Sequence, residues 1–346
     1  MKNTKKYDLA VYIGRFQPFH NGHQHVIERA SQVANRVLVL IGSSNSPRTP
    51  KNPWTADERE FMIRKALDTT FQSTTTMIDR VPDSPYDEQE WVASVERVVA
   101  KYTKGPSVAL IGHDKDESSY YLNSFPQWDV VNAPSYDTGE SPLSSTTIRK
   151  FMFERAEMFA KGVVPEAIYK ELSVFPATEA FANLREDYRY IEQYKASWAS
   201  APYPPIFVTA DAVVVQSGHI LLVQRGEFPG RGLWALPGGF VNANETVEAS
   251  VIRELREETR LKVPEKVLKG SIRFSRVFDK PSRSSRGRTI THAFGFRLDD
   301  SAPLPDVRGG DDAANAKWVS IGEFFDMETV MFEDHYAIVK SIINQI

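Results

Sequence analysis

Residues 8–23 read DLAVYIGRFQPFHNGH. The apolar run DLAVYI predicts a buried strand, Gly14 ends it, and an amphipathic helical pattern occupies residues 23–34. A strand leaving through a glycine-bearing turn into a helix is the opening unit of a sheet covered by helices. Working outward, VLVLI at 37–41 is a second strand with almost no polar interruption. Helices are predicted at 56–67, with Thr55 as N-cap, and at 87–102; strands at 76–81, 108–111 and 128–132. This alternation predicts an α/β domain built on a doubly wound parallel sheet.

The texture changes further on. Residues 145–198 read as mostly helical, cut by Pro165 and Pro176, and ASAPYPP at 199–205 reads as a linker. Strands are then predicted at 206–215, 220–223, 267–278, 289–298 and 316–319. A helix is predicted at 246–259, and another closes the chain. Strands in runs around few helices indicate an α+β domain. A length of 346 residues exceeds what one core usually supports, about 250–300. The expected domains are 1–200 and 201–346.

Bulk properties exclude several classes. A net charge of −3 gives no global positive field for nucleic acid, and the absence of cysteine removes disulfides, thiolate metal sites and a Cys nucleophile. No apolar run approaches the roughly 18–20 residues that span a bilayer, so a soluble, cytoplasmic protein with no membrane partner is expected. Whether copies assemble into a homo-oligomer is left open.

His20 and His23 flank the predicted start of the first helix, where unpaired N–H groups and the helix dipole already favour an anion. Gly14 permits the tight exit and Gly22 a close backbone approach. A histidine pair alone is as well explained by capping. A second phosphate-suited segment, SSTTIR at 144–149, again opens a predicted helix, with Arg149 about one turn inside. Capping accounts for its serines but not for the pairing of the two segments.

In the second half, Val247, Val251 and Leu255 form a helical core stripe, and Glu254, Glu257 and Glu258 share a neighbouring face. Three like charges raise one another's pKa, a cost that a divalent cation relieves, and oxygen ligands suit Mg²⁺ or Mn²⁺. An acidic run alone would read as a solvated face balanced by Arg253 and Arg256. The preceding LPGGF and the full spacing favour metal. DKPSRSSRGRTIT at 279–291 carries Arg283, Arg286 and Arg288, suited to a second phosphate or ribose. Asp311 and Asp312 are candidates for a further ligand or the general base.

GRFQPFHNGH resembles the first signature of the nucleotidyltransferase superfamily with a His-x-Gly-His motif, a Rossmann-like fold, and SSTTIR resembles its second. NPWTADER and DEQEW bring residues 8–155 closest to nicotinamide mononucleotide adenylyltransferases. The resemblance implies attack of the mononucleotide phosphate on the ATP α-phosphorus, giving NAD and pyrophosphate. It assigns ATP phosphates to His20 and His23 and the departing end to Arg149. Gly14, Phe16, Gly22, Ser145 and Thr146 would complete the pocket, and Mg²⁺ would arrive with ATP. Arg15, Arg48 and Lys51 are open candidates for added charge. Trp91 would stack on the nicotinamide ring, unless it is a core tryptophan.

Residues 239–261 resemble the Nudix box, with Arg260 where the pattern has glycine. The implied ligands are Glu254, Glu257 and Glu258, and Glu258 is also the implied catalytic group. The basic stretch resembles that of ADP-ribose pyrophosphatases, implying cleavage of ADP-ribose to AMP and ribose 5-phosphate. Together the halves resemble the bacterial bifunctional nicotinamide mononucleotide adenylyltransferase and ADP-ribose pyrophosphatase family. The rival readings are a transferase with another acceptor, such as nicotinate mononucleotide, and a Nudix hydrolase of other specificity or a Nudix-like ligand sensor.

Overall fold

The computed structural model describes residues 5–68, 75–103, 105, 107–112, 121–134, 136, 143–155 and 160–346. Contacts divide the chain into two compact units, Met1–Arg185 and Glu186–Ile346.

The first unit runs β1 (Tyr7–Gly14), α1 (Asn21–Val33), β2 (Ala34–Ile41), α2 (Ala56–Asp68), β3 (Thr76–Arg80), α3 (Glu88–Tyr102), β4 (Val108–Gly112) and β5 (Asp129–Asn132). Its five strands are parallel, in the order β3-β2-β1-β4-β5. Leu9, Ala10 and Val11, and Val37 through Ile41, are fully buried, which is why these strands read as unbroken apolar runs. Connections leave β1 toward β2 on one side and reach β4 on the other. The switch between them opens a crevice beyond the carboxyl ends of these strands, where α1 begins. At the start of α2, Thr55 and Glu58 cap reciprocally: Glu58 N–H donates to the Thr55 hydroxyl at 3.3 Å, and Thr55 N–H to the Glu58 carboxylate at 2.8 Å.

Three helices follow: α4 (Ser145–Arg155), α5 (Glu166–Val174) and α6 (Glu179–Ser197). Residues 156–159 of the expected helical stretch lie outside the described residues. The division between units falls inside α6, ahead of the expected boundary at 200/201. From Asp187 on, the helix packs within the second unit. Asp187 accepts a hydrogen bond from Gly230 N–H at 2.7 Å, and the Tyr194 ring lies 5.4 Å from that of Phe207. Burial raises the Asp187 pKa to about 6.

The second unit contains β6 (Ile206–Gln216), β7 (His219–Arg225), β8 (Trp234–Ala235), β9 (Gly238–Phe240), α7 (Val247–Thr259), α8 (Glu265–Ser271), β10 (Ile272–Phe278), β11 (Arg288–Arg297), β12 (Ala313–Ser320), α9 (Ile321–Phe325) and α10 (His335–Ile342). Its sheet follows β10-β11-β6-β7-β12, with β8 paired to β7 and β9 to β6. The β6–β11 pair is parallel and the other strand pairs are antiparallel. Val251 and Leu255 of α7 pack on Ala210, Ala212, Val214 and Leu221, so the stripe read from the sequence is the core face.

One expected element differs. Residues 267–278 were read as a strand, but α8 takes their first part and β10 begins at Ile272. Pro264 opens α8 as its N-cap residue, Glu265 lies in its first turn, and Lys269 pairs with Glu265 one turn away at 2.8 Å. These local helix signals outweigh the β-preference of Val267. Among the described residues no helix is long and apolar enough to cross a membrane.

Arg260 ends α7 in the left-handed region at φ 53°, its N–H bonded to Arg256 C=O. A side chain there costs about 1 kcal/mol. Arg260→Gly is expected to stabilise the second unit by about 0.5–1 kcal/mol in denaturant unfolding. A lowered midpoint would mean that the Arg260 side chain, which packs on Gly310, contributes more than the strain removes.

Candidate active sites

At the crevice of the first unit, His20 is the N-cap residue of α1, with extended backbone and 6% exposure. Its ring stacks on that of His23, centroids 3.7 Å apart. Gly22 makes the close approach possible, since a Cβ there would lie 3.0 Å from the His20 ring. His20 N–H donates to His23 Nδ1 at 3.2 Å. Burial, and secondarily the neighbouring His20, hold the His23 pKa well below the ordinary histidine value. His23 is therefore neutral at pH 7. With Nδ1 accepting, the remaining ring nitrogen carries the hydrogen and is a donor.

The second segment is joined directly to the first. Arg149 donates to Gln17 C=O at 2.6 Å and to the Thr146 hydroxyl at 3.2 Å, and Ser145 Oγ donates to Pro18 C=O at 3.1 Å. Burial, and secondarily the charge of Arg15, lowers the Arg149 pKa to about 10. Two neighbouring guanidinium groups repel, a cost that a bound polyanion relieves.

Phe16 is 1% exposed, with its ring packed between Tyr12, Phe19 and His23, and so serves as scaffold. Arg48 grips the Glu58 carboxylate with two 2.7 Å bonds and also donates to Pro53 C=O, which fixes the loop before α2. Lys51 is exposed on that loop. Trp91, on α3, is half-buried, with its ring 5.7 Å from that of Phe125 and 6.5 Å from that of Tyr121, and packs against the core of the first unit.

Sequence reasoning missed Arg59. It is 1% exposed and donates to the carbonyls of Arg15, Gly42 and Ser43 at 2.8, 2.6 and 3.0 Å. It thereby ties the loops leaving β1 and β2 together. Burial lowers its pKa to about 10. Its sequence signal was its place one turn into α2 within NPWTADER, where an arginine reads as a solvent-facing helix residue.

In the second unit, Glu254 and Glu258 are 9% and 5% exposed on α7. Gly238 N–H donates to Glu258 at 2.9 Å, and Gly239 leaves room for Glu254, since a Cβ there would lie 2.5 Å from its carboxylate. Desolvation raises the pKa of both, Glu258 the more strongly, and the Asp312 carboxylate beside Glu258 adds to its shift. Asp312 is delivered by the loop between β11 and β12. That loop docks on the end of α7 through Arg308 N–H to Thr259 C=O and Gly310 N–H to Glu258 C=O. Arg253 bridges the face, donating to Glu245, Glu254 and Glu257 at 2.6, 2.8 and 3.0 Å. Glu245 is held down to about 2 by that contact. Among the described residues no three His, Asp or Glu groups already converge as a metal site. The donor chemistry nevertheless fits a hard divalent cation: desolvated oxygen donors whose ionisation is unfavourable until a positive charge arrives.

Glu258 and Asp312 line a cleft together with Asp211, Arg225, Arg283, Arg286, Glu333 and His335. Arg283 lines the cleft with its guanidinium already held in a buried bidentate pair with Asp334 at 2.8 and 2.9 Å. Arg288 is bound to Asp279 and does not line the cleft. Arg286 does, lying over the rings of Phe240 and Phe332. Arg225, missed in the sequence, lies 4.3 Å over Phe332 and donates to Pro229 C=O. Asp211, also missed, lines the cleft and accepts a hydrogen bond from the Thr291 hydroxyl. A lone charged residue inside an apolar strand was the signal for Asp211.

Comparison with known proteins agrees with this division. A cytidylyltransferase-like family model matches residues 11–151 and a NUDIX domain model residues 205–341. The solved structure of a bifunctional NMN adenylyltransferase/ADP ribose pyrophosphatase from Francisella tularensis, complexed with AMP and Mn ion, is 37% identical. It superposes with a TM-score of 0.92, covering 98% of this chain and 99% of that one. The chain belongs to the family of these bifunctional proteins. A nicotinamide/nicotinic acid mononucleotide adenylyltransferase of Acinetobacter baylyi is 35% identical over 185 residues, 53% of this chain and 95% of that protein. An ADP-ribose pyrophosphatase of Methanocaldococcus jannaschii is 36% identical over 135 residues, 38% of this chain and 70% of that protein.

Arg59→Met is expected to destabilise the first unit by on the order of 3 kcal/mol, because three buried carbonyls lose a charged donor. Arg59→Lys should recover only part of this; full recovery would show that charge, and not the three-carbonyl fork, matters. A second measurement concerns acid stability. His335 accepts from Leu236 N–H at 2.9 Å, and burial lowers its pKa to about 3 despite Asp334. Arg283, Arg225 and Arg286 also lower it. The unfolded chain takes up this proton near pH 6.5 and the folded chain only near 3. His335 therefore removes stability as pH falls between those values, at up to about 1.4 kcal/mol per pH unit. His335→Asn keeps an acceptor and should flatten the acid limb of second-unit unfolding between pH 6 and 4.

Proposed function

We propose that the first site transfers AMP from ATP to nicotinamide mononucleotide, giving NAD and pyrophosphate, and that the second hydrolyses ADP-ribose to AMP and ribose 5-phosphate. The observation that carries the first half is the Arg149–Gln17 hydrogen bond, which joins the two phosphate-suited segments in one crevice. An oxygen of the mononucleotide phosphate attacks the ATP α-phosphorus, and the bond to the β-phosphate oxygen breaks. The nucleophile comes with the substrate, so the protein's task is alignment and charge stabilisation. Neutral His23 donates a hydrogen bond without adding a full charge, His20 stands beside it at the helix start, and Arg149 with Arg15 offsets charge on the departing pyrophosphate. The name of the Acinetobacter relative favours a second acceptor, nicotinic acid mononucleotide.

In the second site, Glu254, Glu257 and Glu258, with Asp312 adjacent, would hold Mg²⁺ or Mn²⁺. When bound, the cation neutralises the diphosphate and lowers the pKa of a water. The family resemblance to a protein crystallised with Mn ion supports a divalent metal. The chain's own groups do the rest. Arg225 and Arg286 supply positive charge along the cleft. Arg253 orients the glutamate face, and the Arg283–Asp334 pair holds the basic loop against the segment before α10. Water adds to one phosphorus, the bridging P–O bond breaks, and two monophosphates leave.

Two variants in the full chain separate the sites. His23→Ala should lower NAD formation by about 10²–10³-fold, as expected for loss of a transition-state donor, while ADP-ribose hydrolysis persists. Glu258→Gln should do the reverse, and chelator should abolish hydrolysis until Mg²⁺ or Mn²⁺ is restored. Parallel loss of both activities in a folded variant would refute two independent sites. An inert ADP-ribose alongside turnover of another diphosphate would overturn the substrate and keep the reaction class.

A further inference from the structure

Between β7 and β8 the chain makes a loop over residues 226–233 whose ends are tied together. Arg225 N–H donates to Leu233 C=O and Gly232 N–H to Arg225 C=O, both at 2.9 Å. The Arg225 guanidinium turns back on the same loop and donates to Pro229 C=O at 2.8 Å. It lies 4.3 Å over the Phe332 ring, and Arg286 lies 5.9 Å from that ring. Burial, and secondarily the charge of Arg286, lower the Arg225 pKa. Two guanidinium groups beside one ring repel, so keeping Arg225 in the cleft requires that its loop be anchored.

The anchor comes from α6. Pro229 and Gly230 are the buried tip of the loop, while Glu227, Arg231 and Gly232 are exposed. Gly230 has φ 78°, and a Cβ there would lie 2.4 Å from the Phe332 ring, so the tip is pressed against the ring on which Arg225 lies. Its N–H donates to the Asp187 carboxylate at 2.7 Å. Asp187 is 7% exposed, and burial raises its pKa to about 6 against the pull of Gly230 N–H and Arg225. A buried carboxylate is costly unless its partners repay the lost water, and here they are the loop tip and the Arg225 charge. Asp187 also lies ahead of residue 205, where the match to the NUDIX domain begins. We infer that Asp187 is a positioning residue of the hydrolase: through Gly230 N–H it fixes the 226–233 loop and so holds Arg225 in the cleft for the diphosphate. The inference rests on reading the second site as a diphosphate hydrolase. It makes α6 a working part of that enzyme as well as the connection to it.

The test uses the full chain at about pH 8, where Asp187 is ionised. For Asp187→Ala we expect KM for ADP-ribose to rise roughly tenfold, the scale of one lost hydrogen bond to a charged group, with kcat within about threefold. Asp187→Asn keeps an acceptor for Gly230 N–H and should recover most of the loss. A double-mutant cycle with Arg225→Met decides the route. If Asp187 acts through Arg225, adding Asp187→Ala to Arg225→Met changes kcat/KM by less than about twofold. Losses that multiply overturn the inference. So does an unchanged KM in Asp187→Ala, and so does an asparagine variant as impaired as alanine. NAD formation by the same preparations should stay unchanged; its parallel loss would overturn the assignment of Asp187 to the hydrolase. If the unaltered chain hydrolyses no diphosphate, the reading of the site fails separately. Amide hydrogen exchange over residues 226–233 then still decides the anchor: it should be faster in Asp187→Ala than in the unaltered chain, and equal rates overturn it.

Discussion

The carboxylate of Glu258 is buried at the end of α7, accepts one hydrogen bond from Gly238 N–H and faces Asp312. Much of the second unit is arranged around that contact. Gly238 belongs to β9, which pairs with β6, and β6 is the strand on which α7 packs. Asp312 comes on a loop fixed by backbone hydrogen bonds to the end of the same helix. Three separate segments therefore converge on one desolvated acid. Such an arrangement is unfavourable by itself, because burial and a neighbouring carboxylate both oppose ionisation. A divalent cation reverses the sign of that cost, which ties the strain of the resting site to the chemistry proposed for it.

The first unit meets a related problem with opposite charge. Its ligands would be polyanions, and the groups at its crevice are the helix start, two imidazoles and two guanidinium groups. His23 is kept neutral by burial, so positive charge is concentrated on Arg15 and Arg149. Arg59 does not contribute through its charge at the crevice. It spends its donors on the carbonyls of Arg15, Gly42, Ser43 and Thr55 and so fixes the loops that carry Arg15 and Gly42. Arginine suits this use because its planar fork reaches several acceptors at once and stays protonated even when buried.

Helix α6 shows how a domain boundary drawn from sequence differs from one drawn by contact. ASAPYPP has the composition of a linker, yet the contact division lies earlier, inside α6. A helix has no composition break at the point where one of its faces changes partner. Asp187 and Tyr194 read as ordinary positions of a polar helix, and only Gly230, Phe207 and Phe240, distant in the chain, give them a role.

The fold was legible in the sequence because hydrophobic periodicity is a local property. Unbroken apolar runs between helices required a covered parallel sheet, and the spacing of Val247, Val251 and Leu255 set the core face of α7. The paired phosphate segments and the glutamate trio were legible for the same reason, since each lies within one turn-and-helix unit. The strand misread at 267–271 was a competition between Val267 and the helix start after Pro264, which local pattern weighed wrongly. What the sequence could not decide is which charges are already spent. Arg48 and Arg283 look as available as Arg149 until Glu58 and Asp334 are placed beside them. Arg59 looks like a surface charge until the fold buries it. The reason is physical: periodicity is written along the chain, whereas desolvation and ion pairing depend on partners that only tertiary structure brings within a few ångströms.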